Sequence, residues 1–360
     1  MKKTSPLLAR LSLCTVLAAA AMASLPAHAG KTLDAIKARG QLVCGVNPSL
    51  PGFSAADSQG VWTGLDVDIC KAIAATVLND ASKIKWTPLN ASQRFAVLQA
   101  GEIDILSRNT TWTLTRDASL GLSFTGVTYY DGQGFMVPTM RLDAKTKKMV
   151  PATPKITSAK QLKGATVCVQ SGTTTEKNLT DYSKAAGLNM TPVVFDTQEA
   201  TNKAYFAGRC QAYTTDASGL ASVRNKEASN PNDHLVLPEL ISKEPLGPVV
   251  RRGDDEFFAI AKWVVFALLE AEEYGITQAN VDQMKADSKD PVVQRILGTS
   301  EDTGKLLGLD KDWAYRAIKA TGNYGEIFER NVGPKSALKL PRGANNLWNK
   351  GGLMYAPPVR

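Results

Sequence analysis

Three segments of the sequence carry polar and charged side chains suited to holding a small charged molecule. Residues 107–116 (Ser-Arg-Asn-Thr-Thr-Trp-Thr-Leu-Thr-Arg) are rich in hydroxyl and amide groups and end in Arg116. Residues 170–175 (Gln-Ser-Gly-Thr-Thr-Thr) form a turn before a predicted helix, whose free N–H groups favour an anion. Asp216 follows two threonines. An arginine and a helix start that bind a carboxylate, with an acid that binds an ammonium, suit a zwitterion.

Each of these segments also has an ordinary structural explanation. Residues 171–174 fit a helix cap, Asp216 fits a turn, and Arg116 beside Asp117 fits a solvated ion pair. Their placement favours the functional interpretation, because ligands of α/β folds collect beyond the carboxyl ends of parallel strands. All three segments follow predicted strands, so we expect them to meet at one site.

The elements that must position these segments follow a strand–helix–strand rhythm, which predicts an α/β fold with largely parallel sheets. In the first half of the chain, the pattern predicts strands at residues 41–46, 83–89 and 103–106 and helices at 66–78 and 92–100. The same alternation returns further along the chain, with strands predicted at residues 166–170, 191–195 and 210–214 and helices predicted from 171 onward and at 198–207. We therefore expect two similarly built lobes, followed from Asp254 by a helical region.

The helix at 66–78 is predicted from its periodicity. Ile69, Ile73 and Val77 fall on one helical face, with Asp66 and Asp68 in the first turn. Carboxylates at a helix start interact favourably with its dipole. We therefore interpret both aspartates as capping residues.

The composition is that of an ordinary globular chain. The 360 residues are 44% hydrophobic and 21% charged, which suits about two domains. The formal charge of +8 invites a nucleic-acid partner, but the basic residues are scattered. Removal of residues 1–29, which contain Lys2, Lys3 and Arg10, would lower the charge to +5. The scattered basic residues and this modest charge argue against a nucleic-acid partner.

Residues 1–29 are predicted to be a cleavable signal peptide. A basic start precedes an apolar stretch at 11–23, and Ala27-His28-Ala29 offers a cleavage site after Ala29. The apolar stretch is too short for a lasting membrane span. Cys14 is a poor lipidation site, because Leu13 stands where a small residue is needed. We expect export to the periplasm.

Cleavage would leave one histidine and four cysteines. His234, in a polar stretch, is predicted to be a surface loop residue. A single histidine excludes a histidine-cluster metal site. A Ser-His-Asp triad would have to use His234, and the sequence has no G-x-S-x-G motif to supply its serine. We predict no metal and no cofactor. In an oxidising compartment the even number of cysteines suggests disulfides. Three pairings are possible, and we favour Cys44–Cys70 and Cys168–Cys210, because each bridge then stays inside one lobe.

Residues 64–77 (Gly-Leu-Asp-Val-Asp-Ile-Cys-Lys-Ala-Ile-Ala-Ala-Thr-Val) resemble the signature of family 3 solute-binding proteins of bacterial ABC importers. Other similar segments cover essentially the whole mature chain, at 47–53, 168–176, 241–247, 322–330 and 347–352. The resemblance implies a two-lobed, type II periplasmic-binding-protein-like clamshell with a helical C-terminal extension. It would be a monomer that closes on one L-amino acid and presents it to an inner-membrane permease. The implied parts are lobe 1 (30–132), lobe 2 (133–243) and a return to lobe 1 with the extension (244–360).

The resemblance also implies ligand contacts. Arg116 and the backbone amides of Thr111 and Thr174 would bind the α-carboxylate. The carbonyl of Asn109, the hydroxyl of Thr111 and the carboxylate of Asp216 would bind the α-ammonium. The contacts are divided between the lobes, so a ligand that touches both sets favours closure.

Three further residues bear on the ligand side chain. Relatives specific for cationic amino acids carry an acid and an aromatic residue where this chain has Asn47 and Leu50. Arg94 falls near the side-chain position, although an exposed helix arginine is the alternative. Together these residues favour broad recognition of polar and acidic L-amino acids: Glu, Asp, Gln and Asn.

Two other functional classes stay open at this stage. The same scaffold resembles that of exported dehydratases that act on prephenate-like or arogenate-like acids, and such an enzyme needs an acid and a base beside the ligand. Asp216 is the only carboxylate that the resemblance places in the pocket. The second alternative is a binding protein that engages a signalling receptor.

Overall fold

The computed structural model describes residues 31–143 and 145–360. The predicted signal peptide, residues 1–29, lies outside the described residues. In the described part of the chain, no helix combines the length and the apolar character needed to cross a membrane.

Lobe 1 is built on a five-stranded sheet. Its spatial order is Ile84–Pro88, Leu42–Val46, Ile105–Leu106, Val249–Arg251 and Leu122–Phe124, with the first three strands parallel and the last two each antiparallel to the strand before it. Leu42–Val46 is buried along its whole length, as expected for an apolar strand between two parallel neighbours. After Leu42–Val46 the chain forms a small antiparallel sheet of three strands, Ser49–Leu50, Ser54–Ala56 and Trp62–Thr63.

Lobe 2 repeats this plan. Its sheet has the spatial order Thr191–Phe195, Thr166–Gln170, Ala212–Asp216, Gln133–Pro138 and His234–Val236, with the first three strands parallel and the last two antiparallel to their neighbours. Among the described residues, three α-helices belong to this lobe: Thr174–Ala185, Gln198–Phe206 and Ala217–Glu227. A short hairpin, Met140–Leu142 with Met149–Pro151, extends from it.

The remaining helices belong to lobe 1, and those of the C-terminal region are part of its core. They are Lys31–Arg39, Leu65–Leu78, Arg94–Gln99, Asp255–Glu273, Val281–Asp287, Pro291–Ile296, Trp313–Thr321 and Tyr324–Asn331. Trp313 and Phe328 are fully buried in the same cluster as Ile69 and Leu268. Each such side chain contributes roughly 1.5–3 kcal/mol through burial, so the C-terminal helices help to stabilise lobe 1.

The chain crosses between the two sheets at a pair of antiparallel strands. Tyr129–Asp131 pairs with Glu244–Leu246, and Asp131 lies directly opposite Glu244. The lobe boundaries that we predict at 132/133 and 243/244 adjoin these strands. Behind them, the side-chain amide of Asn345 donates to the Tyr130 carbonyl and accepts from the Tyr130 N–H, which ties the C-terminal extension to the crossing.

Some local predictions from the sequence are wrong. The helix predicted at 92–100 is shorter, Arg94–Gln99, because the Asn90 side chain accepts from the Gln93 N–H and holds the preceding residues in a turn. His234 is half-buried at the start of a strand, since its imidazole bonds to the Tyr205 hydroxyl and packs edge-on against Phe206. It is therefore not a surface loop residue.

Each lobe contains one disulfide, and the pairings are those that we favour from the sequence. Cys44 is bonded to Cys70 and Cys168 to Cys210, with separations of 26 and 42 residues. Cys44 and Cys168 lie in the central parallel strands of the two sheets. The bridges therefore fasten a strand to a neighbouring helix in lobe 1 and to the turn before Ala212 in lobe 2.

Removing the lobe 2 disulfide is expected to destabilise the protein. For a loop of this length, cross-linking removes chain entropy worth about 4 kcal/mol from the unfolded state. We expect a Cys168→Ser/Cys210→Ser variant to lose roughly 2–4 kcal/mol of unfolding free energy, measured by urea titration. The wild type treated with reductant is the matched control and should lose at least as much. A loss below about 1 kcal/mol would show that this bridge does not restrain the unfolded chain.

Candidate functional site

A narrow cleft with a cavity volume of about 30 Å³ lies between the carboxyl edges of the two sheets. Both lobes contribute polar side chains to its wall. Seven of the eight ligand-binding residues predicted from the sequence line this cleft: Asn47, Leu50, Arg94, Asn109, Thr111, Thr174 and Asp216. The eighth, Arg116, does not line it.

The lobe 1 loop that carries Asn109 and Thr111 is held by Asp66. The Asp66 carboxylate accepts from the Asn109 N–H at 2.7 Å and from the Ser107 hydroxyl at 3.3 Å. Asn109 has a positive φ of 34°, a conformation that an asparagine adopts more readily than most residues. Burial raises the pKa of Asp66 to about 6, although these hydrogen bonds oppose the rise.

The prediction that Asp66 and Asp68 cap their helix is therefore wrong. Helix Leu65–Leu78 begins after Gly64, and no side chain caps it. Asp68 accepts instead from the side chains of Arg330 and Asn331 in the C-terminal region. Both carboxylates are committed to partners distant in the chain, which a local pattern does not reveal.

Arg116 lies behind the cleft wall. Its Nη1 donates to the Thr111 carbonyl at 2.9 Å, and its guanidinium lies 5.2 Å from the centre of the Phe95 ring. Burial lowers the pKa of Arg116 to about 10, while Glu244 and Asp216 oppose that shift. The solvated Arg116–Asp117 pair is not formed, because Asp117 pairs with Arg252. The role of Arg116 in binding a carboxylate stays a prediction.

Two other arginines reach the cleft itself. Arg94 and Arg108 are both only 3% exposed, so the exposed-helix alternative for Arg94 is wrong. Arg108 Nε donates to the Leu89 carbonyl at 2.8 Å. Within the described residues, Arg94 Nε is buried and has no hydrogen-bond partner. Burial, and then the cations Arg108 and Arg116, lower the pKa of Arg94 well below its usual range. An anion at this position would relieve both effects.

The opposite wall belongs to lobe 2 and carries a carboxylate. Asp216 ends strand Ala212–Asp216 and is buried, but it does not cap the helix that follows. Burial raises the pKa of Asp216 well above its usual range, and Asp131 and Glu244 raise it further, against the effect of Arg116. A cation placed beside Asp216 would stabilise its charged form.

The lobe 2 helix Thr174–Ala185 points its first turn at the same cleft. Thr173 caps it, since its hydroxyl accepts from the Glu176 N–H. Thr173, Thr174 and Thr175 all line the cavity. Residues 171–174 thus include a helix cap at the edge of the cleft, so the structural and functional interpretations of this segment are compatible.

Eight cleft residues were assigned no ligand contact from the sequence, although several of them lie in the segments 107–116 and 170–175 or directly before Asp216. They are Arg108, Gln170, Thr173, Thr175, Gln198, Tyr213, Thr215 and Gly219. Most were within reach of the strand-end rule, because Gln170 and Thr215 lie at or near the ends of parallel strands and Gln198 begins the helix after one. Arg108 lies in the segment 107–116, which the sequence indicates as a candidate binding segment.

The two lobes touch each other around the cleft. Asn47 Nδ2 donates to Gln198 Oε1 at 3.0 Å, and the Thr111 and Thr174 hydroxyl oxygens lie 3.3 Å apart. Ser222 Oγ donates to the Pro51 carbonyl at 2.7 Å. These contacts describe a closed arrangement in which residues of both lobes surround one small volume.

An alanine at Gly172 is expected to hinder this closure. A Cβ at Gly172, in lobe 2, would lie 3.2 Å from Ser92 Cα, in lobe 1. Because this backbone contact forms only when the lobes approach, the Gly172→Ala variant should favour the open state. We expect roughly tenfold weaker ligand binding, measured by calorimetry, which corresponds to about 1.4 kcal/mol.

Gly187→Ala is a matched control for this prediction. Gly187 has a φ of 64°, close to the 71° of Gly172, and no heavy atom lies within 4 Å of a Cβ there. Both variants therefore carry the backbone strain of a positive φ, but only one carries the contact between lobes. Equal affinities for the two variants would contradict the closure argument.

Chemically, the cleft is arranged to bind a small molecule with charges of both signs. Cationic groups come from lobe 1 and a carboxylate from lobe 2, while amides and hydroxyls fill the remaining wall. Over residues 31–143 and 145–360, no three His, Cys, Asp or Glu side chains are grouped in a way that could hold a metal ion.

Comparison with known proteins is consistent with this arrangement. The family described as bacterial extracellular solute-binding proteins, family 3, matches residues 42–290. The chain is 56% identical to the general L-amino acid-binding periplasmic protein AapJ of Rhizobium johnstonii, over 93% of this chain and 94% of that protein. It is 51% identical to the glutamate/glutamine/aspartate/asparagine-binding protein BztA of Rhodobacter capsulatus, over 99% and 100%.

A solved structure is also similar over nearly the whole chain. It is an ABC transporter periplasmic binding protein from Brucella ovis with glutathione bound. The two are 53% identical with a TM-score of 0.86, over 91% of this chain and 99% of that one. At this level of similarity the two-lobed type II fold expected from the sequence is confirmed.

Proposed function

The chain belongs to family 3 of the bacterial extracellular solute-binding proteins, and from this premise we propose that it binds L-amino acids for an ABC importer. The observation that carries the proposal is the division of charge across one small cleft. Arg94 and Arg108 stand on the lobe 1 wall and Asp216 on the lobe 2 wall. A free amino acid carries the complementary pair of charges on two groups bonded to the same carbon.

Division of the contacts between lobes makes binding and closure one event. A zwitterion that contacts groups of both lobes stabilises the closed state relative to the open one, whereas a ligand of one lobe alone would not. The predicted α-carboxylate contacts, Arg116 and the amides of Thr111 and Thr174, and the predicted ammonium contacts, Asn109, Thr111 and Asp216, are our assignment of this grip.

We further propose a preference for acidic and amide side chains. The buried, unpartnered Nε of Arg94 supports a ligand carboxylate, and the amide groups of Gln170 and Gln198 supply both donors and acceptors for a carboxamide. Asn47 and Leu50 provide no acid for a cationic side chain. The name of one relative, a binder of Glu, Gln, Asp and Asn, agrees with this preference, and that of another, a general L-amino-acid binder, agrees with broad recognition.

Delivery to a membrane permease and a periplasmic location complete the proposal. Relatives more than 50% identical over nearly their full length are named as periplasmic or ABC transporter binding proteins. The predicted signal peptide at residues 1–29, with cleavage after Ala29, supports the same location. We propose that the protein acts as a monomer in this role.

The dehydratase alternative finds less support in the cleft. Such chemistry needs an acid and a base at the ligand. Asp216 is the one carboxylate among the described residues that line the cavity, and His234 bonds to Tyr205 away from it. Assays for turnover of prephenate and arogenate by the purified protein test this alternative directly, and we expect none.

A thermal-unfolding screen tests the proposal. The mature protein, freed of bound ligand by unfolding and refolding, is heated with each of the twenty L-amino acids, with D-glutamate as a control for stereochemistry. A ligand at one hundred times its dissociation constant stabilises the folded state by about 2.7 kcal/mol. We expect upward shifts with Glu, Asp, Gln and Asn and none with Lys, Arg or D-glutamate.

Other outcomes separate the parts of the proposal. A shift with a single amino acid would keep the role but contradict broad specificity. Glutathione is added to the screen as a further ligand, and a shift with it alone would move the ligand to γ-glutamyl peptides, whose glutamyl end carries the same zwitterion. No shift with any amino acid would contradict the proposed function.

A further inference from the structure

Glu244 is a buried carboxylate at the crossing between the lobes, and the sequence interpretation gave it no role. It is 1% exposed and begins strand Glu244–Leu246. Four side-chain donors surround it. Oε2 accepts from the hydroxyls of Thr111 at 2.6 Å and Thr174 at 2.8 Å, while Oε1 accepts from Ser242 Oγ at 2.6 Å and Asn178 Nδ2 at 2.8 Å.

The donors come from three parts of the molecule. Thr111 belongs to the lobe 1 loop, Thr174 and Asn178 belong to the first turns of a lobe 2 helix, and Ser242 precedes the crossing strand. One carboxylate thus bonds to both walls of the cleft and to the crossing. A carboxylate suits this position because it accepts at both oxygens and has no hydrogen to donate.

The hydroxyl groups of Thr111 and Thr174 can act toward a ligand as donors or as acceptors, and their bonds to Glu244 decide which. A hydroxyl has one hydrogen and two lone pairs. Thr111 and Thr174 each direct that hydrogen at Glu244 Oε2. Both threonines line the cavity, and their hydroxyl oxygens lie 3.3 Å apart, so we infer that they offer the ligand a pair of adjacent acceptors.

Such acceptors suit an ammonium and disfavour a carboxylate. An ammonium has three hydrogens to donate, and Asp216, which lines the same cavity, offers a third acceptor for it. The negative charge of Glu244 also reaches this position, because it is one cause of the raised pKa of Asp216. In this arrangement the ligand ammonium would contact Thr111, Thr174 and Asp216.

We propose that Glu244 is a positioning residue that sets the polarity of the cleft. By taking the hydroxyl hydrogens of Thr111 and Thr174, it makes both hydroxyls acceptors for the α-ammonium of the ligand. This inference rests on the proposed amino-acid-binding function and deepens it. Glu244 does not itself line the cavity, so it acts through the two threonines.

The test compares two ligands that differ at the ammonium. L-Glutamate and 2-oxoglutarate carry the same two carboxylates, but 2-oxoglutarate has a carbonyl in place of the ammonium. Affinities are measured by calorimetry for L-glutamate and by its displacement for 2-oxoglutarate. In Glu244→Gln, whose amide can donate to the hydroxyls and turn them around, we expect glutamate to bind at least tenfold more weakly. The affinity for 2-oxoglutarate should change less than threefold or rise.

The matched control is Glu227→Gln, which removes the same charge at the end of a lobe 2 helix, outside the cavity wall. It should leave both affinities unchanged. A glutamate affinity of Glu244→Gln within threefold of the wild type would overturn the inference. So would an equal loss for both ligands, because that result indicates support of the cleft without selection for the ammonium.

A second variant protects the test against misfolding of the first. Thr111→Val keeps the side-chain shape but removes one acceptor, and it should weaken glutamate selectively. Combined with Glu244→Gln it should cost less than the product of the two separate losses, because both changes remove one interaction. Independent, multiplicative losses would overturn the inference. If the wild type itself fails to bind glutamate, the proposed function fails first, which distinguishes the two results.

Discussion

Asp216→Asn weakens the binding of L-glutamate by at least about 100-fold, which is the largest effect that we expect from one substitution. Removing one member of a buried charge pair costs several kcal/mol, because the other charge stays buried and unpaired. Here the other charge is the ligand ammonium, held away from water in a cleft whose remaining walls carry arginines. Calorimetric titration of the ligand-free variant with glutamate measures the loss.

The same residue makes binding depend on pH. In the closed cleft without a ligand, burial and the neighbouring Asp131 and Glu244 raise the pKa of Asp216, so it retains its proton at higher pH than an ordinary aspartate. A bound ammonium favours the charged form and lowers that pKa. Binding therefore releases a proton, and affinity rises with pH until the pKa of the free protein is passed. Titrations in buffers with different ionisation enthalpies count this proton.

Asp181→Asn is the matched control for both parts of the prediction. Asp181 is an exposed residue of a lobe 2 helix, outside the cavity wall. It should leave the affinity and the proton count unchanged, whereas Asp216→Asn should lose the pH dependence with the affinity. Near-normal glutamate binding by Asp216→Asn would contradict the assignment of the ammonium site.

Arg94→Met is expected to remove the preference for acidic side chains and leave the general grip intact. The Arg94 guanidinium is buried, its Nε lacks a partner within the described chain, and Arg108 and Arg116 add like charge. A ligand side-chain carboxylate would supply a charge-assisted, bidentate partner. We expect about 100-fold weaker binding of L-glutamate and less than threefold change for L-alanine, both measured by calorimetry. Methionine keeps an unbranched apolar stem and removes the charge.

Two further variants sharpen this result. Arg209→Met is a matched control, because Arg209 also stacks on a phenylalanine, Phe195, but lies outside the cavity wall. It should change neither affinity. Arg116→Ala, by contrast, should weaken glutamate and alanine equally if Arg116 binds the α-carboxylate. Equal losses for Arg94→Met would assign the α-carboxylate to Arg94 and contradict its role in specificity.

The position of the cleft could be predicted from the sequence because it follows from sheet geometry. Polar segments that end parallel strands of two repeated units must lie at the sheet edges, and residues 107–111, 170–175 and 216 do so. The choice among arginines could not be predicted this way. Arg116 and Arg94 lie near the same ring, Phe95, but only Arg94 reaches the cleft, and that depends on packing between distant segments.

The roles of the buried carboxylates were hidden for the same reason. Two aspartates in a first helical turn are typical of caps, yet Asp66 binds Asn109 and Asp68 binds Arg330, 43 and 262 residues away. The role of Glu244 could not be predicted from the sequence, because its partners Thr111 and Thr174 come from separate lobes. Local patterns report local partners, whereas these side chains are satisfied by tertiary contacts.

The most direct measurement of the central claim is a calorimetric titration of ligand-free mature protein with L-glutamate. Our account predicts saturable binding of one glutamate per chain, because one cleft presents both charges of the site between the lobes. Binding of D-glutamate should be far weaker, since its ammonium and side chain cannot face Asp216 and Arg94 together. The absence of binding at millimolar glutamate, or equal binding of both enantiomers, would contradict the account.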